Sequence, residues 1–396
     1  MLLTFFKPGS LAFIPGLSFL DTVMDILRVI SFAIIFFCYL SSNSLSKPVL
    51  GVMAYEFILL FSTVINNGNY WKLAVSCGTV IGFCMLIEMG IRKNAAVLIS
   101  AFFNSGFFLC SLNLILLLIF PNGVAQSPKT FERYNLLGGD NILPPILIPF
   151  MAVAVLYSEI YGKEERMKAG MLILSICATI LITWSGTGVV GWFAFMVYLL
   201  FIYRRKISSF FNAVFLGVMY AAAFFAVVVF RMQEYFSFII EDILHKNVSL
   251  TGRTQIWDYT FLLIKRSPFL GYGVYDNLIY LRNQYYVHAH NGILEILLEG
   301  GFAALAVYIL LFIMTCRELY KYRDHHISGI ITAGFFSVQV LLLAEGYVNQ
   351  IWIFGLMIFA CNISYIVKEC DARKTESDEY SIPLSRRYIS YRLNRH

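Results

Sequence analysis

Long apolar runs separated by short polar turns set the pattern of this chain. Runs of spanning length lie at roughly 26–44, 49–66, 72–91, 95–120, 142–161, 169–185, 187–203, 210–230, 292–316, 329–348 and 351–367. Each is near the ~20 residues that a bilayer core requires. A backbone in lipid must satisfy its own polar groups, so each run predicts a helix. The expectation is an all-α, polytopic membrane protein forming one domain over residues 1–396, with about eleven spans. Residues 2–25 interrupt the pattern, because Pro8, Gly9, Pro15 and Gly16 break it and Asp21 and Asp25 polarise its end. That stretch is expected to lie at the interface or re-enter the membrane, and a twelfth span is the alternative.

The turns alternate in charge. Lys47; Arg92 and Lys93; Lys163, Arg166 and Lys168; Arg204, Arg205 and Lys206; and Arg317, Lys321 and Arg323 fall on one side. The alternate turns, such as 66–69, 185–188 and 349–350, hold almost no positive charge. The basic side is cytoplasmic. The tail 368–396, rich in Lys, Arg, Ser and Glu, then lies in the cytoplasm as an expected mobile segment. Loops 121–141 and 231–291 face outward.

Composition agrees. The 396 residues are 59% hydrophobic and 14% charged, against about 25% charged in soluble domains. The net charge of +6 follows from the cytoplasmic turns, and without a basic stripe elsewhere nucleic acid is not an expected partner. None of the eight cysteines lies in loop 231–291, so no disulfide framework is expected there. The N-terminus lacks the pattern of a cleavable signal peptide.

Loop 231–291 is the one long charge-rich stretch. Ile256, Trp257, Phe261 and Ile264 recur at helical spacing, which predicts an amphipathic helix over 254–266, on the membrane or on the bundle. Ser267-Pro268 ends it, and Gly271-Tyr272-Gly273 reads as a tight turn. Asn291 is placed to cap the next spanning helix.

Several residues in this loop could carry chemistry. Arg253 offers a planar fork for phosphate oxygens, or an ordinary contact with lipid headgroups. Arg231, Lys265, Arg266 and Arg282 add weight to an anionic ligand. His288 and His290 are candidates to move a proton; the alternative is two interfacial histidines with satisfied hydrogen bonds. Zinc would need three or four donors and the loop supplies no further spacing, so no metal is expected. Asn291, Glu295 and Glu299 form a polar stripe four residues apart on an otherwise apolar helix, and a carboxylate at membrane depth suggests function. Glu56, Glu88 and Glu345 also interrupt apolar runs, but the sequence does not place them. Tyr272 and the tyrosines after it suit sugar stacking or the usual aromatic belt.

Taken together, Gly252-Arg253-x-x-x-Trp257, Pro268-x-x-Gly271-x-Gly273 and His290-Asn291-x-x-Leu294-Glu295-x-x-x-Glu299-x-Gly301 resemble the O-antigen ligase/polymerase family. These bacterial proteins include Wzy-type repeat-unit polymerases and the ligases that join O-antigen to lipid A core. The resemblance implies a GT-C-like, metal-independent and cofactor-free glycosyltransferase of the inner membrane, active on its outer face. Donor and acceptor would be polyprenyl-diphosphate-linked glycans, with membrane lipid and a chain-length regulator protein as further partners. On the matching positions, Arg253 would hold the diphosphate and His290 would assist the acceptor hydroxyl, with Glu295 beside them. Arg231, Arg282, His288, Asn291, Lys265, Arg266 and Tyr272 would contact substrate. Members often carry a Ser-Arg-Gly-like turn between two middle spans; here it is Trp184-Ser185-Gly186-Thr187-Gly188, without the arginine. That departure, and the sparse basic charge on the short outer loops, favour a polymerase over a ligase. A flippase is the reading from another class, and would spread its charge through several spans or show internal repeats.

Overall fold

The computed structural model describes residues 1–42, 45–127, 131–203, 210–232, 253–275, 278–281, 284–286, 288–347 and 351–381. Arg282, Arg204, Arg205 and Lys206 lie outside the described residues. In chain order the helices are α1 (Leu2–Phe5), α2 (Ser18–Ser42), α3 (Lys47–Ile65), α4 (Tyr70–Ile119), α5 (Pro144–Tyr161), α6 (Arg166–Thr183), α7 (Gly186–Val197), α8 (Ala213–Phe224), α9 (Arg253–Arg266), α10 (Gly292–Lys321), α11 (His326–Leu342), α12 (Ile351–Cys361) and α13 (Ile363–Ser381). Two small antiparallel hairpins interrupt them: β1 (Ala125–Gln126) with β2 (Arg133–Tyr134), and β3 (Ile279–Leu281) with β4 (Gln284–Tyr286).

Among the described residues, six helices are long and apolar enough to cross a membrane: α2, α3, α4, α5, α6 and α10. The pair α12–α13, bent by 63°, makes a seventh if counted as one span. The protein is an all-α membrane protein. The six are fewer than the apolar runs of the sequence for two reasons. Helix α7, α8 and α11 fall below spanning length, and α4 takes in two runs. Asn94 leaves helical geometry (φ −165°, ψ 99°) in the middle of α4, and its side chain caps the second half by accepting the Val97 N–H at 2.9 Å. A Cβ at Gly90 would meet Leu98 at 2.7 Å. Residues eight apart in a straight helix are about 12 Å apart, so the two halves turn back on each other.

The N-terminal stretch is partly helical and partly buried. Helix α2 begins at Ser18 and takes Asp21 and Asp25 into its first turns, where Lys7 bridges both at 2.8 and 2.9 Å. Ahead of it Phe5 and Phe6 are buried. Phe6 stacks on Trp352 with centroids 5.4 Å apart, inside an aromatic core that includes Phe83, Phe102 and Phe150. At the other end, the tail expected to be mobile from Lys368 is helical as far as Ser381; residues 382–396 lie outside the described residues.

One feature of α10 sets up the functional region. Gly301 (φ 61°, ψ −160°) breaks the helix. The loop after α9 is stitched into that break: Phe302 and Ala303 N–H groups donate to the Pro268 and Phe269 carbonyls, and Tyr272 and Gly273 donate to Leu298 and Glu299. A Cβ at Gly301 would lie 2.3 Å from the Phe269 carbonyl carbon. Only glycine adopts this backbone and permits this approach. Helix α9 buries Ile256, Trp257, Thr260, Leu263 and Ile264 at helical spacing and packs on α10. Of the two resting places its sequence allowed, it takes the bundle.

Candidate functional site

Three segments distant in sequence converge on Glu345. Arg253 opens α9, His288 and His290 precede α10, and Glu345 follows the last turn of α11. The Glu345 side chain is 1% exposed. Its Oε1 lies 2.5 Å from Arg253 Nη2 and its Oε2 lies 3.1 Å from His290 Nδ1. Burial alone would push this carboxyl up. The hydrogen bond from His290 and the charges of Arg253, His290 and His288 outweigh burial and hold it below the ordinary carboxylate range. Tyr347 lies beside His288, ring centroids 6.4 Å apart, and donates its hydroxyl to the Asn141 carbonyl. Burial pushes this phenol up, and the neighbouring Glu345 charge adds to that.

The histidine loop is held in an unusual backbone form. His290 sits in the left-handed region at φ 51°, which a non-glycine residue adopts only where its surroundings fix it. Its N–H donates to His288 Nδ1 at 3.2 Å, and the two rings lie 4.1 Å apart. Asn291 then caps α10: its Oδ1 accepts the Leu294 N–H and its Nδ2 donates to the Leu343 carbonyl, both at 3.0 Å. That second bond ties the histidine loop to the segment carrying Glu345.

Glu295 lies beneath this loop. It is buried and accepts the Ala289 N–H at 2.7 Å and the Tyr275 hydroxyl at 2.9 Å. Through the Ala289 N–H it holds the backbone between His288 and His290. The expected substrate contacts divide by position. Arg231 stands beside Arg253, since it donates to the Thr254 carbonyl at 3.4 Å and pairs with Asp258. Lys265 and Arg266 do not reach the cluster, because they end a helix that carries them about 18 Å from Arg253 at 1.5 Å per residue. Tyr272 is also elsewhere, donating to the Leu263 carbonyl at 2.9 Å. Asn291 is engaged in capping, and Arg282 lies outside the described residues.

The centre of the site, Glu345, is a residue whose partners the sequence did not identify. The one signal was a carboxylate interrupting an apolar run. The arginine-less turn is close by: Ser185 Oγ donates to Asn141 Oδ1 at 2.7 Å, and Asn141 is the residue that receives Tyr347.

His288, His290 and Glu345 place three donor atoms within 4.8 Å of one another. This corrects the expectation that the histidines lack a third ligand; it comes from a different loop. The donor set would suit zinc. However, Arg253 already holds one carboxylate oxygen, and a guanidinium there opposes a second cation.

Chemically, the carboxylate orients two cationic or proton-carrying groups. With Nδ1–H donated to Glu345, His290 Nε2 presents its lone pair as a base. Arg253 is anchored through one nitrogen, and its other N–H groups have no partner among the described residues. The site can thus hold an anion beside a base.

No curated protein matches the chain. A family model does: residues 170–309, from α6 into α10 and including Arg253, His288, His290 and Glu295, match the one described as Wzy_C, O-antigen ligase. Over that stretch the chain is similar to the O-antigen ligase family.

Proposed function

We propose that this protein polymerises oligosaccharide repeat units into a surface polysaccharide on the outer face of the bacterial inner membrane. Both donor and acceptor are units linked to polyprenyl diphosphate. The observation that carries the reading is the shared Glu345, which holds Arg253 and His290 side by side. An anchored arginine beside a base suits a diphosphate leaving group and a hydroxyl nucleophile. In the step, the acceptor hydroxyl oxygen attacks the anomeric carbon of the donor. The bond from that carbon to the diphosphate oxygen breaks, and its electron pair leaves with the lipid diphosphate. The hydroxyl proton passes to His290 Nε2. Displacement from the opposite side inverts the anomeric centre. No metal is required, since Arg253, with Arg231 nearby, supplies the positive charge.

The surrounding architecture is read as eleven spans in a GT-C-like arrangement: α4 crosses twice, the bent α12–α13 pair crosses once, and α7, α8 and α11 cross with their flanking residues. A ligase that transfers glycan to lipid A core is the second reading, favoured by the description of the matching family model. The absence of arginine in the 184–188 turn favours the polymerase.

Deleting the gene tests the assignment. A polymerase predicts single repeat units on the carrier or cell surface and loss of polymer. Polymer that persists without its final acceptor would identify a ligase. Repeat units trapped on the cytoplasmic side would identify a flippase.

A further inference from the structure

Among the described residues, five that are not glycine stand in the left-handed backbone region: Asn67, Phe131, Trp184, Arg231 and His290. Asparagine tolerates that form, and bulky side chains avoid it. Residues held this way persist only where their surroundings fix them, and they gather at functional sites. His290 is bonded to Glu345, and Arg231 stands beside Arg253. Phe131 and Trp184 are aromatics, 73% and 70% exposed, and no step of the transfer uses them.

Both aromatics sit on segments that meet at Asn141. Phe131 lies between β1 and β2, in the hairpin whose Arg133 pairs with Asp140 at 2.7 Å. Trp184 ends α6, and its N–H donates to the Ile180 carbonyl at 3.0 Å. Glycine or asparagine usually takes that position, because either enters the left-handed region at little cost. A tryptophan there needs its turn held from outside. Ser185, the next residue, is buried and donates to Asn141 Oδ1 at 2.7 Å. Gly188 packs so closely on α5 that a Cβ would lie 2.4 Å from Pro144 Cγ. The Asn141 carbonyl accepts the Tyr347 hydroxyl, and the Tyr347 ring lies 6.4 Å from that of His288. The tie from the Trp184 turn therefore runs through Ser185, Asn141 and Tyr347 to the histidine side of the Glu345 cluster.

An indole offers a broad apolar face with a polar edge. A pyranose ring is its complement, with a face of C–H groups and a rim of hydroxyls. A tryptophan that only anchors a helix end among lipid headgroups needs neither a left-handed backbone nor a tie to the site. We propose that Trp184 stacks on a sugar ring of the acceptor glycan and so sets how that chain enters the histidine side of the site. The inference rests on the glycosyl-transfer reading above.

The test uses the full-length protein in lipid nanodiscs. Trp184 emission is read as the difference between wild type and Trp184→Tyr. One probe is phospholipid brominated near its headgroup. The other is repeat-unit oligosaccharide released from its carrier by mild acid, and thus free of diphosphate. The oligosaccharide should shift Trp184 emission, and the brominated lipid should leave it unquenched. In transfer assays Trp184→Leu should raise the KM for acceptor about tenfold, on the scale of one lost ring contact, with donor binding as in wild type. Trp184→Tyr keeps a ring and should recover most of that loss. Trp184→Gly suits the left-handed backbone and should match Trp184→Leu, which separates loss of the ring from disturbance of the turn. Quenching by brominated lipid with no response to oligosaccharide would make Trp184 a membrane anchor and overturn the subsite, while transfer at Arg253 and His290 would stand. An acceptor KM unchanged in both Trp184→Leu and Trp184→Gly would overturn it equally. A Trp184 response to oligosaccharide in a protein that transfers no glycan would instead keep the subsite and remove the transferase reading.

Discussion

Glu345 changes what the loss of Arg253 means. An outer-face arginine looks removable at little cost to stability. Here its partner is a carboxylate 1% exposed, and truncation leaves that charge buried and less compensated. Arg253→Ala should cost roughly 2 kcal/mol, less than the ~3–5 of a fully buried pair because the arginine keeps some contact with solvent. Adding Glu345→Gln should restore most of the thermal stability in detergent but none of the transfer activity. A double variant as unstable as the single one would show that the pair does not act as described. Acid should act on the same carboxylate. Its folded-state pKa lies below its unfolded value, so its stabilisation is complete above the unfolded value. It is lost as pH falls through the folded value. The melting temperature should drop at acid pH in wild type, and that drop should shrink in Glu345→Gln. The sequence made Arg253 and His290 visible because their motif is local. Glu345 stayed hidden because it stands 92 positions from Arg253 and 55 from His290, and only folding joins them.

Elements were legible wherever periodicity or a cap marked them. The helix at 254–266, the turn at Gly271–Gly273 and the cap at Asn291 all stand where the pattern put them. The break in α10 was not legible, because a glycine in an apolar run gives no sign of the second backbone that approaches it. The same holds for α1 and α2, where burial of Phe5 and Phe6 against Trp352 is a tertiary fact. Two variants separate these kinds of information. Asn291→Ala removes a helix cap worth about 1 kcal/mol and the tie to the Leu343 carbonyl. It should lower kcat more than donor affinity, by letting the histidine loop drift from Glu345. Gly301→Ala meets the Phe269 backbone at 2.3 Å in a backbone form alanine avoids, so it should prevent accumulation of folded protein. Normal accumulation and melting of Gly301→Ala would contradict the stitched geometry.

For the whole molecule, the alternation of apolar runs and basic turns made the membrane class plain, and the family match over residues 170–309 agrees with it. Helix count was less legible, because α4 merges two runs and three apolar helices are short. The alternation of basic and uncharged turns predicts that a reporter fused after the C-terminal tail lies in the cytoplasm and one inserted near Val248 lies outside. The reverse pattern would put the Arg253–Glu345–His290 cluster on the wrong face for an exported donor. As proposed, this cluster transfers glycan from a lipid diphosphate, with the arginine on the donor and the histidine on the acceptor. The most direct test is polymerisation of purified lipid-linked repeat units by the protein in vitro, with donor binding measured separately and chelator present throughout. Wild type should make polymer despite the chelator. Arg253→Ala should lose both donor affinity and transfer, with Arg253→Lys restoring part. His290→Ala should lose transfer and keep donor binding. Wild-type polymerisation by both alanine variants would contradict the account, and loss of wild-type activity in chelator would move the chemistry to a metal held by His288, His290 and Glu345.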